Sequence, residues 1–159
     1  MGSRRRHRDF PGPATLQGQR QGRDACGEAA CAFSPDGHWI AYASNESGRY
    51  EIYLSPFPAK GGRRYTVSSE GGASPAWRRN SHELFYVSGD GRLTAVPVTL
   101  RGGEAQFGQP EKLFPVTSSD FSRTYEPSLD GQRFLVTAPA TGGGASATVL
   151  LNWTQTLGK

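Results

Sequence analysis

The stretch "CAFSPDGHWIAYASNESGRYEIYLSPF", Cys31 to Phe57, decides the fold. Its two runs "WIAYAS" and "YEIYLS" are short, rich in β-branched and aromatic residues, and bounded by Asp, Gly, Asn and Ser, the pattern of strands joined by turns. Asp36, His38 and Glu46 are its potentially reactive side chains, so "SPDGHW" reads either as a site or as a turn. Asp36-Gly37 stands where a tight hairpin requires positive backbone φ, which Gly adopts freely and Asp tolerates better than most residues. The turn reading is favoured because the feature recurs.

Beyond this stretch the same kind of run continues: "RYTVSS", "ELFYVS", "LTAVPV", "KLFPVT", "RFLVTA" and "TVLLNW". None of the intervening segments has the length or the 3.6-residue period of a helix. Laying "FSPDGHWIAYAS" (Phe33 to Ser44) over "WRRNSHELFYVS" (Trp77 to Ser88) and "PSLDGQRFLVTA" (Pro127 to Ala138) aligns Asp36, Asn80 and Asp130, at intervals of 44 and 50 residues. A period of about 40 to 50 with four strands per unit is the signature of a β-propeller blade.

The expected fold is all-β, a partial β-propeller of about three four-stranded antiparallel blades over residues 31–159, with units at about 31–70, 71–119 and 120–159. The first unit holds a strand before Ser34, then "WIAYAS", "YEIYLS" and "RYTVSS". The second holds "SPAWR", "ELFYVS", "LTAVPV" and "KLFPVT". The third holds "TYEPS", "RFLVTA" and "TVLLNW" and lacks an outer strand. Three units are fewer than the roughly four to eight that close a ring, so the chain reads as a piece of a propeller. Its outward faces are expected to expose apolar residues such as those of "WIAYAS" and "TVLLNW", and self-association or pairing with missing blades is the expected consequence.

Composition narrows the function classes. The 159 residues carry a formal net charge of +4, yet residues 1–31 hold six Arg against Asp9, Asp24 and Glu28, which leaves +1 for the rest. The basic character therefore belongs to a tail, residues 1–30, which is too poor in apolar residues to order itself, and no specific nucleic-acid surface is expected on the folded part. "RRRHR" reads as a solvated charge run. Two cysteines, Cys26 and Cys31, lack the second pair of a zinc set and are expected to be ordinary thiols. No apolar run approaches the roughly 18 residues of a membrane span, and the Arg-rich start is not followed by the apolar core of a signal peptide. The compartment is left open by these features.

The candidate sites read as structure. "HRD" at His7 to Asp9 matches the kinase catalytic loop by letters, but Ala14 stands where its Asn belongs and the other kinase motifs are missing. His38 and His82 occupy equivalent slots after the turn, filled by Gln132 in the third unit, which suits a polar flank better than a metal pair. Ser34, Ser74 and Ser128 have no nucleophile elbow. "GGRR" (Gly61 to Arg64) and "TGGG" (Thr141 to Gly144) precede no helix and so lack the usual phosphate cradle. Asn45 and Asn152 begin glycosylation sequons, and Asn152 falls in an expected strand, where glycosylation is not expected. Trp39, Trp77 and Trp153 are expected to pack between sheets, burying roughly 150 to 250 Å² each. No catalytic residue, metal ligand or cofactor is assigned, and the chain is read as a non-enzyme.

"FSPDGHWIAYASNESGRYEIYLSPFP", "GGASPAWRRNSHELFYVSGDGRLTAVPV" and the terminal "VLLNWTQTL" resemble the C-terminal blades of TolB-like, WD-related bacterial β-propellers, over about residues 31–159. The resemblance implies a scaffold that recognises unidentified protein partners through its loops and propeller ends, and it supplies no catalytic residues. Such propellers are often appended to serine/threonine protein kinases or to peptidase and transport proteins. It therefore also implies an alternative, an accessory or regulatory domain of a larger enzyme whose catalytic domain lies outside this chain, with a parent protein at a membrane or in the periplasm.

Overall fold

The computed structural model describes residues 30–58, 63–116, 124–139 and 145–151. Among them every regular element is a strand, in three antiparallel sheets. The first sheet runs in chain order through β1 (Cys31–Phe33), β2 (Trp39–Ser44), β3 (Glu51–Pro56) and β4 (Tyr65–Thr66). The second contains β5 (Gly72–Trp77), β6 (Glu83–Ser88), β7 (Arg92–Arg101), β8 (Glu104–Phe107) and β9 (Glu111–Pro115). The third contains β10 (Tyr125–Pro127), β11 (Arg133–Pro139) and β12 (Ala145–Leu151).

The sheets stack face to face, and their two interfaces are the core. Trp39, Ala41, Ala43, Ile52 and Leu54 of the first sheet bury against Trp77, Leu84, Tyr86, Val96 and Val98 of the second. The far face of the second sheet, with Phe85, Val87, Leu93, Ala95 and Leu113, buries Tyr125, Phe134 and Val136 of the third. Period-two alternation lets one strand feed both interfaces, because successive side chains leave opposite faces. Sequential sheets stacked in this way are propeller blades, so the architecture is all-β and a partial propeller.

Aromatic side chains of the innermost strands tie blade to blade. Trp77 donates its indole N–H to the carbonyl of Ala32 (3.2 Å), and Tyr125 donates its hydroxyl to the carbonyl of Ser74 (2.7 Å). The Ser74 carbonyl is available because β5 bulges between Ala73 and Ala76, where Ser74 takes φ +53°. Trp39 and Trp77 thus lie between sheets as expected; Trp153 falls outside the described residues.

Several expectations are corrected. The run "RYTVSS" pairs as a strand only at Tyr65–Thr66, because beyond Val67 the Ser68 hydroxyl takes over as acceptor of the Ile52 N–H (2.8 Å). "LTAVPV" is the first part of a ten-residue β7, whose far half turns back through Gly102-Gly103 into the unforeseen strand β8. Both glycines have positive φ, +58° and +81°, which suits the two-residue hairpin between Arg101 and Glu104. β9 pairs with the near half of β7 and supplies the fourth strand of the blade. "WIAYAS" is largely buried rather than exposed: only Tyr42 and Ser44 retain intermediate accessibility. Among the described residues the exposed large apolar side chains are Phe33, Leu129 and Leu135; the side chains of "TVLLNW" lie outside the described ones. Cys31 is disulfide-bonded, not a free thiol. The chain's other cysteine, Cys26, lies outside the described residues, as do the basic tail with "HRD", "TGGG", Asn152 and the first half of "GGRR".

Candidate protein-recognition groove

Each blade turns from its first to its second strand through the same device. In the first, Ser34 and Trp39 close the hairpin with a backbone bond (2.9 Å), and the N–H of Gly37 bonds the Ser34 carbonyl (2.8 Å). The Ser34 hydroxyl donates to Asp36 Oδ1 (2.5 Å) and accepts from the Trp39 N–H (2.9 Å), while the same carboxylate oxygen accepts from the His38 N–H (3.0 Å). Only Gly37 has positive φ, +74°. Asp36 is therefore used for its side chain rather than for tolerance of the left-handed region. The hydrogen bond from Ser34 and those from the backbone hold its carboxyl below the usual range against a smaller opposing effect of burial.

The third blade repeats the arrangement atom for atom: Ser128 to Asp130 (2.5 Å), the Gln132 N–H to Asp130 (3.0 Å) and the Arg133 N–H to Ser128 (3.0 Å). In the second blade Arg78 replaces the serine and pairs with Glu83 at 3.4 Å, Asn80 accepts from the His82 N–H (3.0 Å), and Ser81 takes the glycine's place at φ +59°. "SPDG" is thus a self-satisfied turn. A further Ser-x-Asp-Gly turn, Ser88 to Gly91, joins β6 to β7 at the other end of the blade, with Ser88 donating to Asp90 (2.5 Å).

The blade-entry turns of the first and second sheets, together with the β7–β8 hairpin, frame an open groove at one end of the stack. One lobe, ≈ 390 Å³, is lined by Asp36, His38, Phe57, Leu100 and Arg101 among others. A second, ≈ 400 Å³, is lined by Pro35, Asp36, Arg79, Asn80, His82 and Leu100. Asp36 and Leu100 belong to both. His38 and His82 therefore share the groove but sit in different lobes, and among the described residues no three His, Cys, Asp or Glu side chains are grouped to hold a metal. Two arginines face one carboxylate here, and that carboxylate already serves its own turn.

Arg79 and Arg101 were not legible as groove residues. Arg101 reaches it only because β7 continues to the Gly102-Gly103 turn, and that Gly pair was the available signal. Glu46 lies elsewhere, in an ion pair with Arg64. Ser34, Ser74 and Ser128 are occupied by turn or bulge geometry.

At the opposite end charged side chains pair with one another beside an open hollow of ≈ 610 Å³ lined by Ser47, Arg49, Glu51, Thr66, Ser68 and Ser69 among others. Glu51, 4% exposed, accepts from Ser68, from Arg49 Nε (2.5 Å) and from the Gly71 N–H (3.1 Å). Burial pushes this carboxyl up, and the hydrogen bonds outweigh it, leaving the acid below its ordinary range. Lys112 bridges Asp90 (2.9 Å) and Glu70 (3.4 Å), joining the second blade to the connector from the first. Gly89 packs so closely on that connector that a Cβ there would lie 2.3 Å from the Glu70 carbonyl oxygen.

No family model matches this chain, and no curated protein matches it either. Among solved structures it is similar to TolB from Acinetobacter baumannii, at 18% sequence identity and a TM-score of 0.40, over 77% of this chain and 40% of that one. The chain thus spans less than half the length of that structure. Among the described residues no helix is long and apolar enough to cross a membrane.

Proposed function

We propose that this chain is a non-catalytic protein-interaction scaffold, the C-terminal blades of a TolB-like propeller, which engages its partner through the groove at the blade-entry turns. The observation that supports this reading most is the groove's construction. Three separate loops, Pro35–His38, Arg79–His82 and Arg101–Gly103, present exposed side chains around it, and each loop is fixed by its own hydrogen bonds on a buried sheet. Preorganised loops on a rigid scaffold lower the ordering cost of binding, and they are where recognition residues concentrate. The excess of arginine over carboxylate suits an acidic loop or segment of a partner protein.

Photo-crosslinking tests the reading. A photoreactive residue at His82 or Arg101 is expected to capture a discrete protein from the native host, and one at Ser69, in the hollow at the opposite end, is not. Arg79→Glu combined with Arg101→Glu should abolish capture with an unchanged melting curve. Equal capture from both ends, or capture indifferent to the charge reversal, refutes the assignment.

A further inference from the structure

Strand β7 outruns its neighbour β6. The first residue of β6, Glu83, lies opposite Pro97, and the last backbone bond along this edge runs from the Val98 N–H to the His82 carbonyl (2.8 Å). β7 itself continues to Arg101. On its other edge β8 accompanies it to the end, with Arg101 opposite Glu104. Residues 99–101 therefore have a strand on one edge only.

Register fixes which backbone groups face the open edge. The Gly108 N–H bonds the Pro97 carbonyl (2.8 Å), so Val98 with Phe107 and Leu100 with Ala105 are the non-hydrogen-bonded pairs of the β7–β8 ladder. Leu100 thus directs its N–H and C=O away from β8, toward the side that β6 has left. The Val98 carbonyl points the same way, and the His82 N–H that would meet it in a regular ladder bonds Asn80 Oδ1 instead (3.0 Å). Among the described residues no backbone group takes the place of the missing strand. The edge opens onto the second lobe of the groove, ≈ 400 Å³, which Leu100 lines together with the Arg79–His82 turn and with Pro35 and Asp36 of the first blade. Charge is one-sided there: Arg79 and Arg101 are exposed, while Asp36 is the only carboxylate among the described residues lining either lobe and is committed to its own turn.

We propose that the occupant of the groove is an extended acidic segment of a partner protein, bound as an added β-strand on β7 at Leu100. Free N–H and C=O groups on a strand edge template another strand, and main-chain bonds of this kind supply affinity while alternate side chains supply selectivity. Here the Leu100 N–H donates to the segment, and the carbonyls of Leu100 and Val98 accept from it. Alternate side chains of a strand leave opposite faces. Acidic residues two apart in the segment therefore share the face on which Arg101 is exposed, and the residues between them share the face of Leu100, which packs toward the first blade. This binding mode rests on the groove being the recognition site, and it adds the conformation and charge pattern of what is recognised.

The probe is a short, end-blocked peptide of alternating Glu and Thr, and its fully N-methylated counterpart is the control, because N-methylation keeps the charge and removes the backbone donors. Titrated into the full chain at low salt, the parent peptide should bind, and the N-methylated peptide should bind weaker by roughly tenfold or more. The Leu100 amide should gain protection from hydrogen exchange with the parent peptide and not with the control. Leu100→Pro removes that N–H at an edge position where proline is tolerated, and it should reproduce the loss of binding with an unchanged β-sheet circular-dichroism spectrum. The peptide comparison and the exchange measurement need no variant, so they decide the matter if Leu100→Pro does not fold. Arg79→Glu with Arg101→Glu should abolish binding of the parent peptide. If it does so while the two peptides bind wild type equally, the groove stands and the added strand falls. No binding of the parent peptide, or no protection at Leu100 when it binds, also overturns the added strand. Binding indifferent to the charge reversal overturns the groove assignment together with it.

Discussion

Replacing Ser34 or Ser128 by alanine removes the same two hydrogen bonds from two copies of one turn, and the structure gives them different costs. The Ser34 hydroxyl is buried, at 3% exposure, and accepts from the N–H of Trp39, itself 4% exposed. Its loss strands a donor that water cannot reach, which costs about 1–3 kcal/mol, and removes a partner of Asp36, worth about 0.5–1.5 kcal/mol. Ser34→Ala should therefore destabilise by about 1.5–4.5 kcal/mol. Ser128 makes bonds of matching length, but Arg133 is exposed, so water replaces the hydroxyl and the expected cost is about 1 kcal/mol or less. Urea unfolding of the two variants, compared at equal m-value, measures the difference. If Ser128→Ala costs as much as Ser34→Ala, burial does not set the cost of the turn and the reasoning fails.

Other perturbations follow from the same contacts. Ser81→Gly should stabilise the fold by about 0.5–1 kcal/mol, because Ser81 occupies the left-handed region at φ +59°; a thermal melt that moves down refutes this. Phe134→Ala should cost about 3–5 kcal/mol, since this fully buried ring meets Phe85 and Phe114 edge to face; loss of the third blade before the other two should make the unfolding curve biphasic. Acid should destabilise the fold through its turns. The Ser88 hydroxyl, followed by Lys112, lowers the Asp90 pKa to about 2, and Ser34 and Ser128 lower those of Asp36 and Asp130. A depressed folded-state pKa contributes stability above the unfolded value of about 3.9 that is lost as pH falls toward about 2. Urea midpoints should accordingly drop across that window, and Asp90→Asn should flatten the drop.

The strands were legible because every blade interface needs apolar side chains at alternate positions, and "WIAYAS", "ELFYVS" and "RFLVTA" all supply them. The alignment of Asp36, Asn80 and Asp130 was legible for a different reason: the turn chemistry is local, and a Ser-x-Asp-Gly run satisfies its own polar groups within six residues. What was not legible depends on contacts distant in sequence. The shortening of the first blade's outer strand follows from Ser68 and Glu51, 17 residues apart, and no local pattern announces that a serine hydroxyl will take a ladder bond. The groove escaped for the same reason, since Arg101 joins the groove that Arg79 lines only through a hairpin whose Gly-Gly turn lay beyond the expected end of the strand.

The contrast between the two ends of the stack gives the functional reading its direction. At one end the polar side chains are consumed internally: Glu51 is filled by Ser68, Arg49 and the Gly71 N–H, Lys112 by Glu70 and Asp90, and Gly89 leaves no room between the connector and the sheet. A ligand arriving there would meet the buried Glu51 carboxylate with its hydrogen bonds already filled, and taking one of its partners away is the costly step, whereas the pairs of Lys112 with Asp90 and Glu70 are solvent-exposed. At the other end each turn satisfies its backbone through Asp36, Asn80 or Asp130, which leaves the side chains of His38, Arg79, His82 and Arg101 exposed without any role in closing the turns. Substitution there should change recognition while sparing stability, whereas substitution at Glu51 should do the reverse. Glu51→Gln keeps the volume and removes the charge, so it should lower the urea midpoint and leave crosslinking from His82 intact. Loss of crosslinking without loss of stability in that variant would place recognition at the wrong end.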